Sequence, residues 1–326
     1  MSLEPPIVTI VSPLYNGERH VRGLAEGVLA QTYANWRLVI IDNHSKDGTN
    51  ALASEYAARD ERVRVVRNPE TVDVISNHNI GFREIAPGSA YFRFLQADDR
   101  LVEDALAKGI TLAEANPRVG IVGSHLQWGE ETTSTEFDSS VPVHEGHDVA
   151  ARTLLGETYP CLTPSGLLYR MEAVRHRQPF FQPEFLYADV MAFYEVLRDW
   201  DFGLVPEVLT VVGRDTGSVT NVVTKSYNKM FASNLHLLTR YGPEFIDDRR
   251  YQQRLDVRLQ LYYEYLGRSW FDLRRPGFWE FHAAGFSTGG LKLEKSRVRR
   301  EALKFLRSDP EAAIRAVARN LRDGRS

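Results

Sequence analysis

The chain has very little cysteine, no long apolar run and no excess of either charge. Its single cysteine, Cys161, excludes a disulfide framework within one chain and points to a reducing compartment. No stretch of about 18 consecutive apolar residues occurs, and the opening "MSLEPPIVTIVSPLYNG" has no basic segment followed by an apolar one. The expectation is a cytoplasmic protein that spans no membrane. With 40 Lys/Arg against 43 Asp/Glu, the chain gives no reason to expect nucleic-acid binding. Internal repeats are also missing. What remains is 326 residues, 43% of them apolar, enough for a full core and for more than one domain.

Five short, branched, apolar runs read as buried strands: "IVTIVS" (Ile7 to Ser12), "RLVIID" (Arg37 to Asp42), "VRVV" (Val63 to Val66), "YFRFL" (Tyr91 to Leu95) and "VGIVG" (Val119 to Gly123). Helical patterns separate them. Val21, Leu24, Val28 and Leu29 share a face after an Asn16 cap, and Ala51 to Arg59 and Leu101 to Ala115 behave alike. The alternation predicts an α/β fold with a mostly parallel sheet flanked by helices, whose ligands bind at the carboxyl ends of the strands. From His125 to Ser140 the composition is polar and reads as a loop. Regularity returns at Gly166 to Val174 and Asp189 to Asp199.

Three strand ends carry polar side chains: "SPLYNG", "DNHSKDGT" and "QADD". The second is a turn by composition. It is no calcium loop, because His44 and Lys46 occupy positions that need oxygen ligands. In the third, either Asp98 or Asp99 could cap the helix that follows, but a cap needs one carboxylate. Two adjacent ones repel, and a divalent cation carrying a phosphate ligand would neutralise both.

These blocks resemble the inverting nucleotide-sugar glycosyltransferases of GT-A fold, from "VTIVSPLYNGERHVRGLAEGVLAQTYANWRLVIIDNHSKDGT" through "LQADD", a likeness running from about Ile7 to Thr220. The resemblance implies a donor-binding part over about 1–125, an acceptor-facing part over 126–222 and a helical C-terminal extension over 223–326. It implies that Pro13 and Tyr15 line the nucleotide base, that Asp42 accepts a hydrogen bond from it, and that Asp98 and Asp99 hold ribose and Mg²⁺ or Mn²⁺. Asn43 and His44 replace the family's usual Asp and Gly, and Gln96 replaces another Asp. "FFQPEFLYADVMAFYEVLRD" is similar to the family's acidic segment before a helix, which makes Asp189 the base, with Glu184 as its substitute; a helix cap is the plain structural role for Asp189. "VPEVLTVVGRDTGSVT" is similar to the closing segment and makes Arg214 a diphosphate contact.

The implied reaction moves a sugar from a nucleotide donor, UDP-linked by preference, to a glycan or lipid-linked acceptor in surface polysaccharide or glycoconjugate synthesis. A sugar-nucleotide-binding scaffold without turnover is the alternative. A nucleotidyltransferase would need a Gly-rich basic phosphate loop, which "SPLYNG" is not. The spacing of His125, His144 and His147 could suggest zinc, but a second close ligand pair is lacking, and the aromatic residues of Leu259 to Phe281 suit helix packing better than sugar stacking. The tail Leu291 to Ser326 carries 11 Lys/Arg against 5 Asp/Glu. Ala313, Ile314, Val317 and Leu321 share a face there, with Arg315, Arg319 and Arg322 off it. That pattern suits packing on the protein's own domain or a second subunit of a homo-oligomer, or peripheral contact with the anionic inner face of a membrane.

Overall fold

The computed structural model describes residues 4–160, 163–185, 187–213, 227–272 and 277–315. The chain divides into two compact units, Met1–Thr216 and Gly217–Ser326.

In the first unit, β1 (Ile7–Leu14), β2 (Trp36–Asp42), β3 (Val63–Arg67) and β4 (Ser89–Phe94) form the parallel half of one sheet. The rest comprises β5 (Arg100–Leu101), β6 (Val119–Trp128), β7 (Glu131–Thr133), β8 (Val143–His144), β9 (Leu168–Arg170) and β10 (Asp201–Val212). The main order is β3-β2-β1-β4-β9-β6-β10-β5, with β9 antiparallel to both β4 and β6 and β10 parallel to β6. Helices α1 (Glu18–Leu29), α2 (Thr49–Arg59), α3 (Val74–Arg83) and α4 (Ala105–Ala115) connect the early strands, followed by α5 (Gly146–Leu155), α6 (Met171–Val174) and α7 (Ala188–Leu197). The strands form because their apolar side chains bury on both faces: Val8, Ile10, Leu38, Ile40 and Tyr91 join Val21, Leu24 and Val28 of α1 in one core. This is the α/β sheet that the strand runs predict.

Chain order reverses at β1, which has β2 on one side and β4 on the other. Such a reversal opens a crevice at the carboxyl edge. The ladder from β1 to β2 continues to Leu14, paired with Asp42, but the ladder to β4 ends at Val11. Pro13 has no N–H to continue it.

Several local expectations are corrected. Asn16 caps no helix: it sits at φ 48°, and its Oδ1 accepts from Lys46 N at 2.9 Å, while α1 starts at Glu18 after Gly17. The helix expected from Leu101 starts at Ala105, because Arg100–Leu101 pair with β10. The stretch from His125 is not all loop. Strand β6 runs on to Trp128 alongside β10 and turns into β7, with Leu126 fully buried. Helix α3 had no counterpart in the apolar pattern.

The second unit contains α8 (Met230–Phe245), α9 (Asp248–Arg268), α10 (Phe278–Thr288) and α11 (Lys295–Ser308). Tyr262, Tyr263, Phe278, His282 and Phe286 are buried together, so these aromatic residues pack helices. Of the basic tail face, Ala313 is buried and Ile314 is 66% exposed, whereas Val317, Arg319, Leu321 and Arg322 lie outside the described residues. Among the described residues no helix is long and apolar enough to cross a membrane.

Candidate active site

The loops after β1 and β2 are laced together at the carboxyl edge. Asn16 N donates to Ser45 Oγ at 2.9 Å, Gly17 N to Thr49 Oγ1 at 2.9 Å and Gly48 N to Glu18 Oε2 at 3.0 Å. Both turns need the left-handed region, at Asn16 (φ 48°) and His44 (φ 57°), which Asn and His tolerate better than most residues. Against this frame Pro13 is buried beside Ile41, and Tyr15 projects with half its surface exposed.

Asp42 ends β2 fully buried. Its Oδ1 accepts from Ser45 N at 3.0 Å. Its Oδ2 is buried and accepts no hydrogen bond, with Arg67 Nε at 3.5 Å as its cationic neighbour. Burying a carboxylate oxygen without a donor is costly, and the Arg67 guanidinium offsets part of that cost. Asn43, where the resembling family usually has Asp, acts on protein instead. It accepts from Val72 N and Asn68 Nδ2, each at 2.9 Å, and donates to Val72 O at 2.8 Å. Asn68 also donates to Asn77 at 2.9 Å, so a buried amide network pins the segment before α3 to the end of β2. His44 Nδ1 lies 3.2 Å from Asn68 O.

The acidic pair after β4 splits into two environments. Asp98 is half-buried; Asp99 is 3% exposed and turned inward. Burial pushes the Asp99 carboxyl up to about 6, opposed by hydrogen bonds from the Ser165 hydroxyl and Gly213 N, the latter at 2.8 Å; the Asp98 charge pushes it higher and Arg93 lower. Arg93 is itself buried, which lowers its guanidinium to about 10. It donates to Ser165 O and, at 3.2 Å, to Thr210 Oγ1. The backbone N–H of Gln96 donates to Ser165 Oγ at 2.8 Å. Asp99 therefore ties the acidic turn to Ser165 and to the end of β10, leaving Asp98 as the carboxylate nearer the solvent.

Gln96 and His78 supply a feature that spacing did not reveal. His78 Nδ1 lies 2.7 Å from Val74 O and must carry the proton there, so Nε2 is the acceptor for Gln96 Nε2 at 2.9 Å. Burial holds the His78 ring below its ordinary pKa, consistent with a neutral imidazole.

Asp189 lies in the first turn of α7 and not at its cap, which is Tyr187; its Oδ1 accepts from Val190 N at 2.9 Å. It is half-buried, and its charge helps burial to raise the pKa of the Tyr169 hydroxyl on β9. Glu184 is exposed on the loop before it. Arg214 lies outside the described residues.

Among the described residues no group of three His, Cys, Asp or Glu side chains could hold a metal ion alone, and His125, His144 and His147 form no such site. A cation that enters with a diphosphate is a different case, because Mg²⁺ and Mn²⁺ commonly take one or two carboxylates and fill the remaining positions with phosphate oxygens and water. One partly exposed carboxylate at a strand end, Asp98, fits that donor set.

An uncharacterized glycosyltransferase of Haemophilus influenzae is 24% identical over 229 residues, covering 66% of this chain and 69% of its own. Among solved structures, S. aureus TarS 1-349 in complex with UDP-GlcNAc superposes with a TM-score of 0.66 at 13% identity, covering 96% of this chain and 88% of that one. The mannosyltransferase PcManGT from Pyrobaculum calidifontis, in complex with GDP-Man and Mn²⁺, gives 0.56 at 15% identity, covering 98% and 88%. At those identities the likeness is one of fold, and the fold is GT-A. The model of Glycosyl transferase family 2 matches residues 9–177, more than half of the chain. The chain belongs to that family and is a glycosyltransferase.

Proposed function

We propose that the protein transfers a sugar, with inversion at the anomeric carbon, from a nucleoside diphosphate donor to an acceptor hydroxyl in polysaccharide or glycoconjugate synthesis, the acceptor being a glycan or a lipid-linked sugar. The observation that carries this reading is the buried Asp42 Oδ2, which accepts no hydrogen bond, at a strand end one strand away from β1 and two from the half-buried Asp98. A nucleobase N–H would satisfy Asp42, and the exposed ring of Tyr15, just past the end of the neighbouring strand β1, would cover the base. UDP is the favoured donor nucleotide.

Asp98 would hold Mg²⁺ or Mn²⁺ against the diphosphate, with Asp99 fixing the turn from inside. A bound cation there supplies charge stabilisation to the departing nucleoside diphosphate. Asp189 acts as the base. The acceptor oxygen bonds to the anomeric carbon, the carbon–phosphate oxygen bond breaks with its electron pair leaving on the nucleotide, and the hydroxyl proton passes to the Asp189 carboxylate. Arg214 would contact the diphosphate.

The test is thermal stabilisation by UDP with Mn²⁺ and with EDTA, for the parent and for Asp98→Asn. Stabilisation that needs the cation and is lost in the variant supports the reading. Equal stabilisation in all four conditions removes the metal, and none with any nucleotide removes the donor site.

A further inference from the structure

Helix α11 (Lys295–Ser308) has two sharply different sides. Val298, Glu301 and Ala302 are buried, and the helix comes so close to α9 that a Cβ on Gly267 would lie 2.6 Å from Glu301 Cβ. Two of the helix's other cations are compensated: half-buried Arg297 lies over the Tyr263 ring at 4.4 Å, and exposed Lys304 pairs through Nζ with the buried Glu301 Oε1 at 2.8 Å. The opposite arc, at 100° per residue, places Leu306, Arg299 and Leu303 together, followed by Arg307 and Arg300. Leu303 is 55% and Leu306 41% exposed, and the three arginines are exposed as well. That arc carries no carboxylate. Among the described residues, Arg299, Arg300 and Arg307 form no ion pair, although α11 lies in a chain whose net charge is −3.

We propose that this outer arc of α11 is a docking surface for an anionic lipid bilayer. The charge calls for an anionic partner. The two leucines select its kind: a soluble anion or a nucleic acid offers nothing apolar for side chains interleaved with the arginines of this arc, whereas a lipid interface takes the leucines into the boundary of its acyl region and the arginines among its headgroups. The arginine stems are long enough to lie along that boundary with their guanidinium groups in the headgroup layer. The proposal concerns the second unit alone and needs no step of the transfer reaction. It also moves the membrane contact expected of the tail onto a helix that precedes the Ala313–Leu321 face.

The experiment is co-sedimentation of the full chain with vesicles of phosphatidylcholine containing about 30% phosphatidylglycerol, and with phosphatidylcholine alone, at about 0.1 M and about 0.5 M salt. Two variants accompany it, Leu303→Ser/Leu306→Ser and Arg299→Glu/Arg300→Glu/Arg307→Glu, with thermal melting to check that each remains folded and light scattering to give the mass. The expected result is pelleting with the anionic vesicles only, weakened by salt and reduced roughly tenfold or more in each variant. No pelleting, pelleting that neither variant reduces, or equal pelleting with neutral vesicles overturns the proposal. So does a dimer that the leucine variant dissociates, which would make the arc a contact between copies of the chain. UDP-dependent stabilisation reads the donor site separately, so either result can fail without the other.

Discussion

Gly213 donates its backbone N–H to Asp99 Oδ1 at 2.8 Å, so the end of β10 is tied to the acidic turn after β4. The approach is so close that a Cβ on Gly213 would lie 2.5 Å from Asp98 O and 2.6 Å from Asp98 Oδ2. Gly213→Ala must therefore push the Asp98 backbone aside, at a cost of about 1–3 kcal/mol for overpacking a tight contact. Calorimetric titration with UDP and Mn²⁺ should show a roughly tenfold loss of affinity. Parent-like affinity would mean that the position of Asp98 does not matter to the donor.

The pairing of Gln96 Nε2 with His78 Nε2 at 2.9 Å predicts an effect of charge. In Gln96→Glu a carboxylate oxygen faces a bare imidazole nitrogen, so His78 should bind a proton and its pKa should rise, readable from ring signals in an NMR titration. The added charge also lies two residues from Asp98. At about 1 kcal/mol for a charge 4 Å away in water, the Mn²⁺ concentration giving half-maximal stabilisation with UDP should fall roughly fivefold when measured above the raised His78 pKa, where the ring is neutral and does not cancel the new carboxylate. An unchanged Mn²⁺ requirement would place Gln96 outside the electrostatic reach of the cation.

Much of the donor half is legible in the residue pattern because β1, β2 and β4 are short apolar runs buried on both faces, with a polar segment at or just after the end of each. Asp42 and Asp98 can therefore be placed at strand ends without coordinates. The Gln96–His78 pair cannot, since it depends on α3, whose buried face includes Asn77, His78 and Asn79 and so lacks apolar periodicity. Its one local signal is Asp73, which caps α3 by accepting from Ser76 N at 3.0 Å. The different fates of Asp98 and Asp99 were hidden for a similar reason. What separates them is Ser165 and Gly213, 66 and 114 residues away from Asp99 in the chain, a distance no local pattern spans. Trp128 in β6 was missed because the polar residues around it obscure a strand that β10 extends by pairing.

Asp189→Asn keeps the shape and the contact with Val190 N but removes basicity. Turnover of donor and acceptor should fall by roughly 10² or more, with donor affinity retained. Glu184→Gln, on the exposed loop, should stay near the parent rate. If the two variants exchange these outcomes, Glu184 is the base; if neither slows the reaction, the proton goes to another group.

The second unit should lose stability in mild acid through His282. This ring is fully buried, with Nδ1 2.6 Å from the Tyr262 hydroxyl, and burial lowers its pKa to about 4 against an opposing backbone contact at Tyr227. The unfolded chain would titrate near the ordinary value of about 6.5. Between those values the unfolded state binds the extra proton, so stability is complete above about pH 6.5 and is lost as the pH falls toward 4. The shift corresponds to about 3 kcal/mol at most. Amide hydrogen exchange in α9 and α10, measured between about pH 7 and pH 4.5 and corrected for intrinsic rates, should show protection falling with pH in the parent. His282→Gln keeps an acceptor for Tyr262 but removes the titration, so its protection should start lower and vary less. Parallel slopes in the two proteins would show that another group controls the acid sensitivity of these helices.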